Sequence, residues 1–149
     1  MIRTDHAELL EPDAAVIVGT VDGDGNPDSG RGWAPVLDGD QLVVLLDAGA
    51  EVAVANARAG RRIAVTSANV RNYRSVQLKG RVDAVEEPDD DDRERFRTHV
   101  DALLAAIHAM QQTPFEVLRR LVPSRVVRVT VTVEAVFDQT PGPTAGAAL

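Results

Sequence analysis

The sequence predicts a mainly β fold with α: a six-stranded antiparallel barrel with helices at its rim. Three observations carry this. Six segments rich in Val, Ile and Leu have strand character. Asp-Gly pairs at Asp22-Gly23 and Asp38-Gly39 separate the first three of them, as tight turns require. Helical periodicity is confined to inserted segments and does not alternate with every strand, which disfavours a parallel nucleotide-binding fold.

In chain order, Asp5 to Leu10 suits a short helix, with Thr4 or Asp5 as N-cap and Pro12 just beyond its end. Val16 to Val21, Asp28 to Leu37 and Gln41 to Asp47 read as a meander, and the short Asp38-Gly39-Asp40 connection makes its last two strands antiparallel neighbours. Gly49 to Ala59 is alanine-rich and ends at Gly60, the residue expected just past a helix C-terminus. Arg62 to Ala68 and Arg74 to Val85 return to strand character. In the second, Val76, Leu78, Gly80, Val82 and Ala84 share one face, and Ser75, Gln77, Lys79, Arg81 and Asp83 the other.

The acidic run Asp89 to Asp92 is placed to head a helix, where its charge complements the dipole. Phe96, Val100, Leu103, Leu104, Ile107 and Met110 follow at helical spacing. Thr113-Pro114-Phe115-Glu116 fits a capping box that restarts a shorter helix, ended by Pro123. The last strand, Val126 to Phe137, alternates cleanly, with Val127, Val129, Val131 and Val133 on one face.

A length of 149 residues suits one domain spanning 1–149, closed by a small-residue tail, Pro141 to Leu149. The absence of cysteine excludes disulfides, thiolate nucleophiles and iron-sulfur clusters. Sixteen Lys and Arg against 23 Asp and Glu give a formal charge of -7, the wrong sign for a nucleic-acid binder. The longest apolar runs fall far short of the roughly 20 residues of a membrane-spanning helix. MIRTDHAELLEP carries acids and a proline where a secretory signal needs an apolar segment, so the expected compartment is cytoplasmic.

The search for chemistry begins at TVDGDGNPDSG, Thr20 to Gly30, where Asp22, Asp24 and Asn26 match the first ligand positions of a calcium loop. The match then fails: Pro27 stands where the loop needs glycine and Trp33 where it needs a bidentate glutamate, so turn chemistry is the better account and no metal is expected. His99 and His108 lie on opposite sides of one helix, and with His6 they read as packing or solvated residues. Neither G-x-S-x-G nor a phosphate loop occurs.

What remains is the polar stretch around NYRSVQLKGR, with Arg74, Ser75, Gln77, Lys79 and Arg81 close together in an acidic protein. Two readings stay open: a face that holds a phosphorylated cofactor by charge-assisted hydrogen bonds, or a solvated strand face. Trp33, two residues from Arg31 and on the same strand face, is either a core plug or a surface on which a ring stacks.

The order of these elements, the AVIVGTVDGDGNPDSG hairpin, QLVVLLD, RSVQLKGRV and the closing FDQTPGP resemble the pyridoxamine 5'-phosphate oxidase-like, FMN-binding split-barrel family, from about Glu8 to Gly146. The resemblance implies a Greek-key split β-barrel, a homodimer with FMN in clefts at the subunit interface, and a flavin-dependent oxidoreductase acting on a small-molecule substrate. It implies that Arg31 falls near the arginine that grips the flavin phosphate, that Arg74 and Ser75 lie on the strand that helps hold it, and that Gln139 approaches the partner subunit's site; Lys79 of the basic strand and Trp33 beside Arg31 complete the expected cofactor-binding set. The family usually has Ser or Thr and then Lys or Arg at the start of the first long helix, whereas this chain has Asp47-Ala48-Gly49-Ala50-Glu51. That departure, and a terminus lacking the tryptophan and arginine of the vitamin-forming oxidases, implies a divergent member. Its alternative ligands are deazaflavin F420, haem or none.

Overall fold

Each apolar segment forms a strand: β1 Ala15–Val21, β2 Pro27–Asp38, β3 Gln41–Asp47, β4 Arg62–Ala68, β5 Ser75–Glu86 and β6 Val126–Asp138. In the computed structural model, which describes residues 4–149, they close into a barrel in the order β1-β2-β3-β6-β5-β4, every pairing antiparallel. The six-stranded antiparallel split barrel is therefore the observed fold. Among the described residues, no helix is long and apolar enough to cross a membrane.

Alternation along the strands divides the residues between an inside and an outside. Val16, Val18, Leu42, Val44, Leu46, Val65, Leu78, Val129 and Val131 fill the barrel, each almost wholly buried. The helix α1, Glu51–Arg58, packs Ala53 and Ala57 onto that core. Gly30 and Gly32 make the fit possible, since a Cβ on Gly30 would stand 2.7 Å from Ala50 Cβ, and one on Gly32 2.7 Å from Val16 Cγ1. Gly60 has φ +66°, the left-handed conformation that ends the helix.

The acidic run does head a helix, α2 Asp90–Gln111. Asp89 is its N-cap, with a capping box in which Asp89 accepts from the Asp92 amide at 2.8 Å and Asp92 from the Asp89 amide at 3.0 Å. The helix lies against the outside of β2 and β3, burying Leu103 with Trp33, Ala34, Leu45 and Val126 in a second, smaller core. Met110, expected on the apolar face, is 51% exposed.

Two local expectations are corrected. The N-terminal helix is a 3-10 helix, Thr4–Leu9. The capping box at Thr113 does not form: α3, Phe115–Leu118, has Pro114 at its N-cap and no side-chain cap bond. Thr113 instead offers its carbonyl to His108 Nδ1 at 2.8 Å, and a four-residue helix followed by a 3-10 turn is too short to need the box.

Candidate functional site

The opening hairpin is closed by Asp22, whose Oδ1 accepts from the amides of Asp24 and Asn26 at 2.8 and 2.9 Å and whose Oδ2 accepts from Asn26 Nδ2 at 2.9 Å. The Asn26 bonds, above all, hold its carboxyl below the usual range. Those oxygens serve the turn, and the turn sets the register that pairs Arg31 of β2 with Ile17 of β1.

From Arg31 a single row crosses the outer face of the barrel: Ile17 on β1, Thr66 on β4, Gln77 on β5 and Phe137 on β6. The next outward row is Ser29, Gly19, Ala64, Lys79 and Ala135. Between Arg31 and Lys79 these rows are uncharged, with small residues and with Ile17 44% exposed. Gln77 Nε2 donates to Thr66 Oγ1 at 2.9 Å, and Gln139 Nε2 reaches Gln77 Oε1 at 3.5 Å. Lys79 Nζ sits 4.8 Å above the Phe137 ring. Arg31 and Lys79 have no carboxylate partner among the described residues.

The sequence-predicted residues are only partly gathered. Ser75 and Gln139 adjoin, Gln139 donating its amide to the Ser75 carbonyl at 2.8 Å, while the Ser75 hydroxyl is spent on Tyr73 O at 2.8 Å. Arg74, at the entrance to β5, faces Glu11 at 3.9 Å and lies close enough to Asp138 to help lower its pKa, behind that carboxylate's bonds from Thr140 and Thr144. Arg31 on β2 and Lys79 on β5 both stand on the outside of the barrel, but their strands are three apart whichever way round the six-stranded barrel is followed, so the two cations lie on opposite sides of it. The three cations thus do not converge on one point within a chain.

Trp33 is the clearest correction to the expected site. It does share the outer face with Arg31, but α2 covers it: 1% exposed, it meets Phe96 and His99 edge-on at 5.5 and 5.7 Å between ring centres. It is a core plug with no free face for a ring.

That covering creates a cavity which the sequence reading missed. About 630 Å³ opens between α2, the Leu10–Pro12 segment and the Ala34-Pro35-Val36 stretch of β2. Its walls are mainly apolar, with Arg95, His99 and Thr98 on the α2 side and Asp91, Glu94 and Glu11 among the lining groups. Arg95 binds Asp92 at 2.8 Å and the Ala34 carbonyl at 3.3 Å, leaving Nε–H without a partner among the described residues. His99 is buried, and its burial lowers its pKa below the ordinary value, against smaller opposing effects of Ala14 and Asp13. The available signal was Pro35 inside a strand, which marks a bulge or an edge.

A closed antiparallel barrel of six strands with a cavity under an added helix defines a split-barrel protein. The chain matches the pyridoxamine 5'-phosphate oxidase family over residues 2–137 and belongs to that family. Among solved structures it is similar to a candidate pyridoxamine 5'-phosphate oxidase from Lactobacillus delbrueckii (24% identity, TM-score 0.54, covering 91% of this chain and 93% of that one). It is similar to an F420 reductase (19%, 0.56, 91% and 98%) and to an FMN-binding protein from Syntrophomonas wolfei (12%, 0.51, 88% and 86%). At these identities the likeness is one of fold. No curated protein matches the chain.

Proposed function

We propose that the protein is a flavin-binding oxidoreductase that works as a homodimer, with FMN lying on the outer barrel wall at Arg31 or at Lys79 and a small-molecule substrate in the cavity under α2. The observation that carries the reading is a pair of outward cations, Arg31 and Lys79, that lack carboxylate partners among the described residues and border weakly polar barrel wall with exposed Ile17, in a protein of charge -7. A second subunit would cover Ile17 and supply further contacts.

When bound, the flavin supplies the redox chemistry. The chain's part is to bind and orient. Arg31 or Lys79 offers a charge-assisted hydrogen bond to phosphate. Gln77 and Gln139 present amides that can both donate and accept at the ring edge. The strand β2 joins the two places, with Arg31 on the face and Ala34–Val36 in the cavity wall, so a substrate in the cavity lies beside the ligand on the face.

A second reading, a dimer that holds F420, haem or no cofactor, is favoured by Glu51. It is exposed in the first turn of α1, where a basic residue is usual in the family, and Asp47 beside it bonds the Gly49 amide at 2.8 Å. The absorption spectrum of the purified protein separates the readings, with FMN and F420 then titrated into the stripped protein. Bound FMN in a ratio of one per chain supports the first; no change of flavin fluorescence at high protein concentration overturns it.

A further inference from the structure

Ala34 is a non-glycine residue with φ +46°, sited where the register between β2 and β3 slips between Trp33 and Val36. Within that slip Ala34 forms no ladder pair with β3, and buried backbone groups without partners are costly. Two side chains of α2 supply the partners. The Ala34 N–H donates to His99 Nδ1 at 2.9 Å, and its carbonyl accepts from Arg95 Nη2 at 3.3 Å. On the far side of the same imidazole, Nε2 meets the Ala14 carbonyl at 2.7 Å. A backbone N–H can only donate and a carbonyl only accept, so the ring is neutral, bare at Nδ1 and protonated at Nε2.

The geometry points to a pH-operated latch: protonation of His99 at Nδ1 sets two donors against each other, frees the Ala34 N–H from α2 while Arg95 keeps its carbonyl, and loosens the cavity wall formed by Ala34, Pro35 and Val36. This goes beyond the flavin reading and does not depend on it. The groups facing the ring are few. The segment before β1 brings Glu11 and Asp13, α2 itself brings Asp91, Glu94 and Arg95, and the Trp33–Val36 stretch of β2 brings none. Burial lowers the ring's proton affinity, and Asp13 restores part of it. Release therefore falls on the acid side of an ordinary histidine, below a pH of about 6.5. The strain of a positive φ at a non-glycine residue favours the bulge relaxing once its N–H has lost its partner.

The reporter is built in. Trp33 is the only tryptophan, it precedes Ala34, and its ring lies 5.7 Å from that of His99. The experiment is a titration of Trp33 emission from neutral to mildly acid pH, with far-UV circular dichroism recorded on the same samples. His99→Gln is run in parallel, since Gln can accept from Ala34 and donate to Ala14 without titrating. A reversible one-proton change in emission below about pH 6.5, with dichroism unchanged and the step absent from His99→Gln, is the expected result. An unchanged emission in the wild type, the same step in His99→Gln, or a step that coincides with loss of dichroism overturns the latch. Ring-nitrogen and amide NMR of the wild type covers the case in which the variant does not fold. His99 should pass from the Nε2–H tautomer to the doubly protonated ring with the Ala34 amide shifting at the same midpoint. An Ala34 amide that ignores His99 overturns the proposal.

Discussion

Arg128 of β6 places Nη1 2.8 and 2.7 Å from the two carboxylate oxygens of Asp92, whose side chain is fully buried at the N-terminal turn of α2. Asp92 also receives Arg95 and closes the capping box with Asp89, so one carboxylate joins the helix start to the barrel. Burial raises its pKa, but the bonds from Arg128, Asp89 and Arg95 outweigh that and hold it below the ordinary value; Arg128 is raised in turn.

Removing that charge leaves two guanidinium groups with a neutral partner in a place built for an anion. Asp92→Asn should therefore cost about 3 kcal/mol, the low end for breaking a buried pair. At roughly 2–4 °C per kcal/mol in a chain of this size, the melting temperature should fall by about 6–12 °C. A calorimetric loss below about 2 °C would mean that α2 docks on its apolar contacts alone.

Gly80 is set by backbone, not by conformation. A Cβ there would stand 2.0 Å from the Thr132 carbonyl oxygen and 2.9 Å from its carbon, where the β5–β6 register slips between Lys79 and Gly80. Neither strand can move without opening the barrel, so Gly80→Ala should reach or exceed about 3 kcal/mol, the upper end for overpacking. Urea unfolding measures it. Gly39→Ala is the comparison at an open turn: its Cβ meets nothing within 4 Å, and only the strain of φ +60° remains, a cost of about 1 kcal/mol.

The acid limb of stability should have two stages. His99 is lowered in the folded state, so its contribution is full above the unfolded value near 6.5 and is lost as pH falls below it. Asp92 is also lowered, so its contribution persists to about pH 4 and is lost below that. Urea midpoints taken from pH 7.5 to pH 3.5 should fall in both windows for the wild type, and only in the lower one for His99→Gln. A wild-type midpoint that is level between pH 7 and pH 5 contradicts the assignment of His99.

The strands were legible because a period of two is strong in VVRVTVTV and RSVQLKGRV, and the parity of β5 correctly put Gln77 and Lys79 on its polar, outer face. Parity within a strand says nothing about which strands intervene, so the separation of Arg31 from Lys79 by β1 and β4 could not be read. Trp33 was ambiguous for a related reason: its cover comes from Phe96 and His99, more than 60 residues later. The role of His99 left no trace in the sequence, because its partners are backbone atoms of Ala14 and Ala34. Side-chain patterns do not report where an unpaired N–H will arise.

The flavin reading makes its sharpest prediction by ranking three cations. Arg74 is already faced by Glu11 at 3.9 Å and lies near Asp138, whereas Arg31 and Lys79 have no such partner among the described residues. A phosphate approaching Arg74 must displace or repel carboxylates; one approaching Arg31 meets an uncompensated charge. Arg31→Gln and Lys79→Gln are each expected to weaken FMN binding, the one that touches phosphate by about 1.5 kcal/mol, roughly tenfold. Arg74→Gln should stay within about twofold, since charge removal there also relieves Glu11 of its partner. Titration of flavin fluorescence at two salt concentrations reads both the affinity and the electrostatic share, because the variant lacking the phosphate contact should also lose part of the salt dependence. If Arg74→Gln loosens FMN as much as either of the others, the phosphate lies at the entrance to β5 and not on the barrel face.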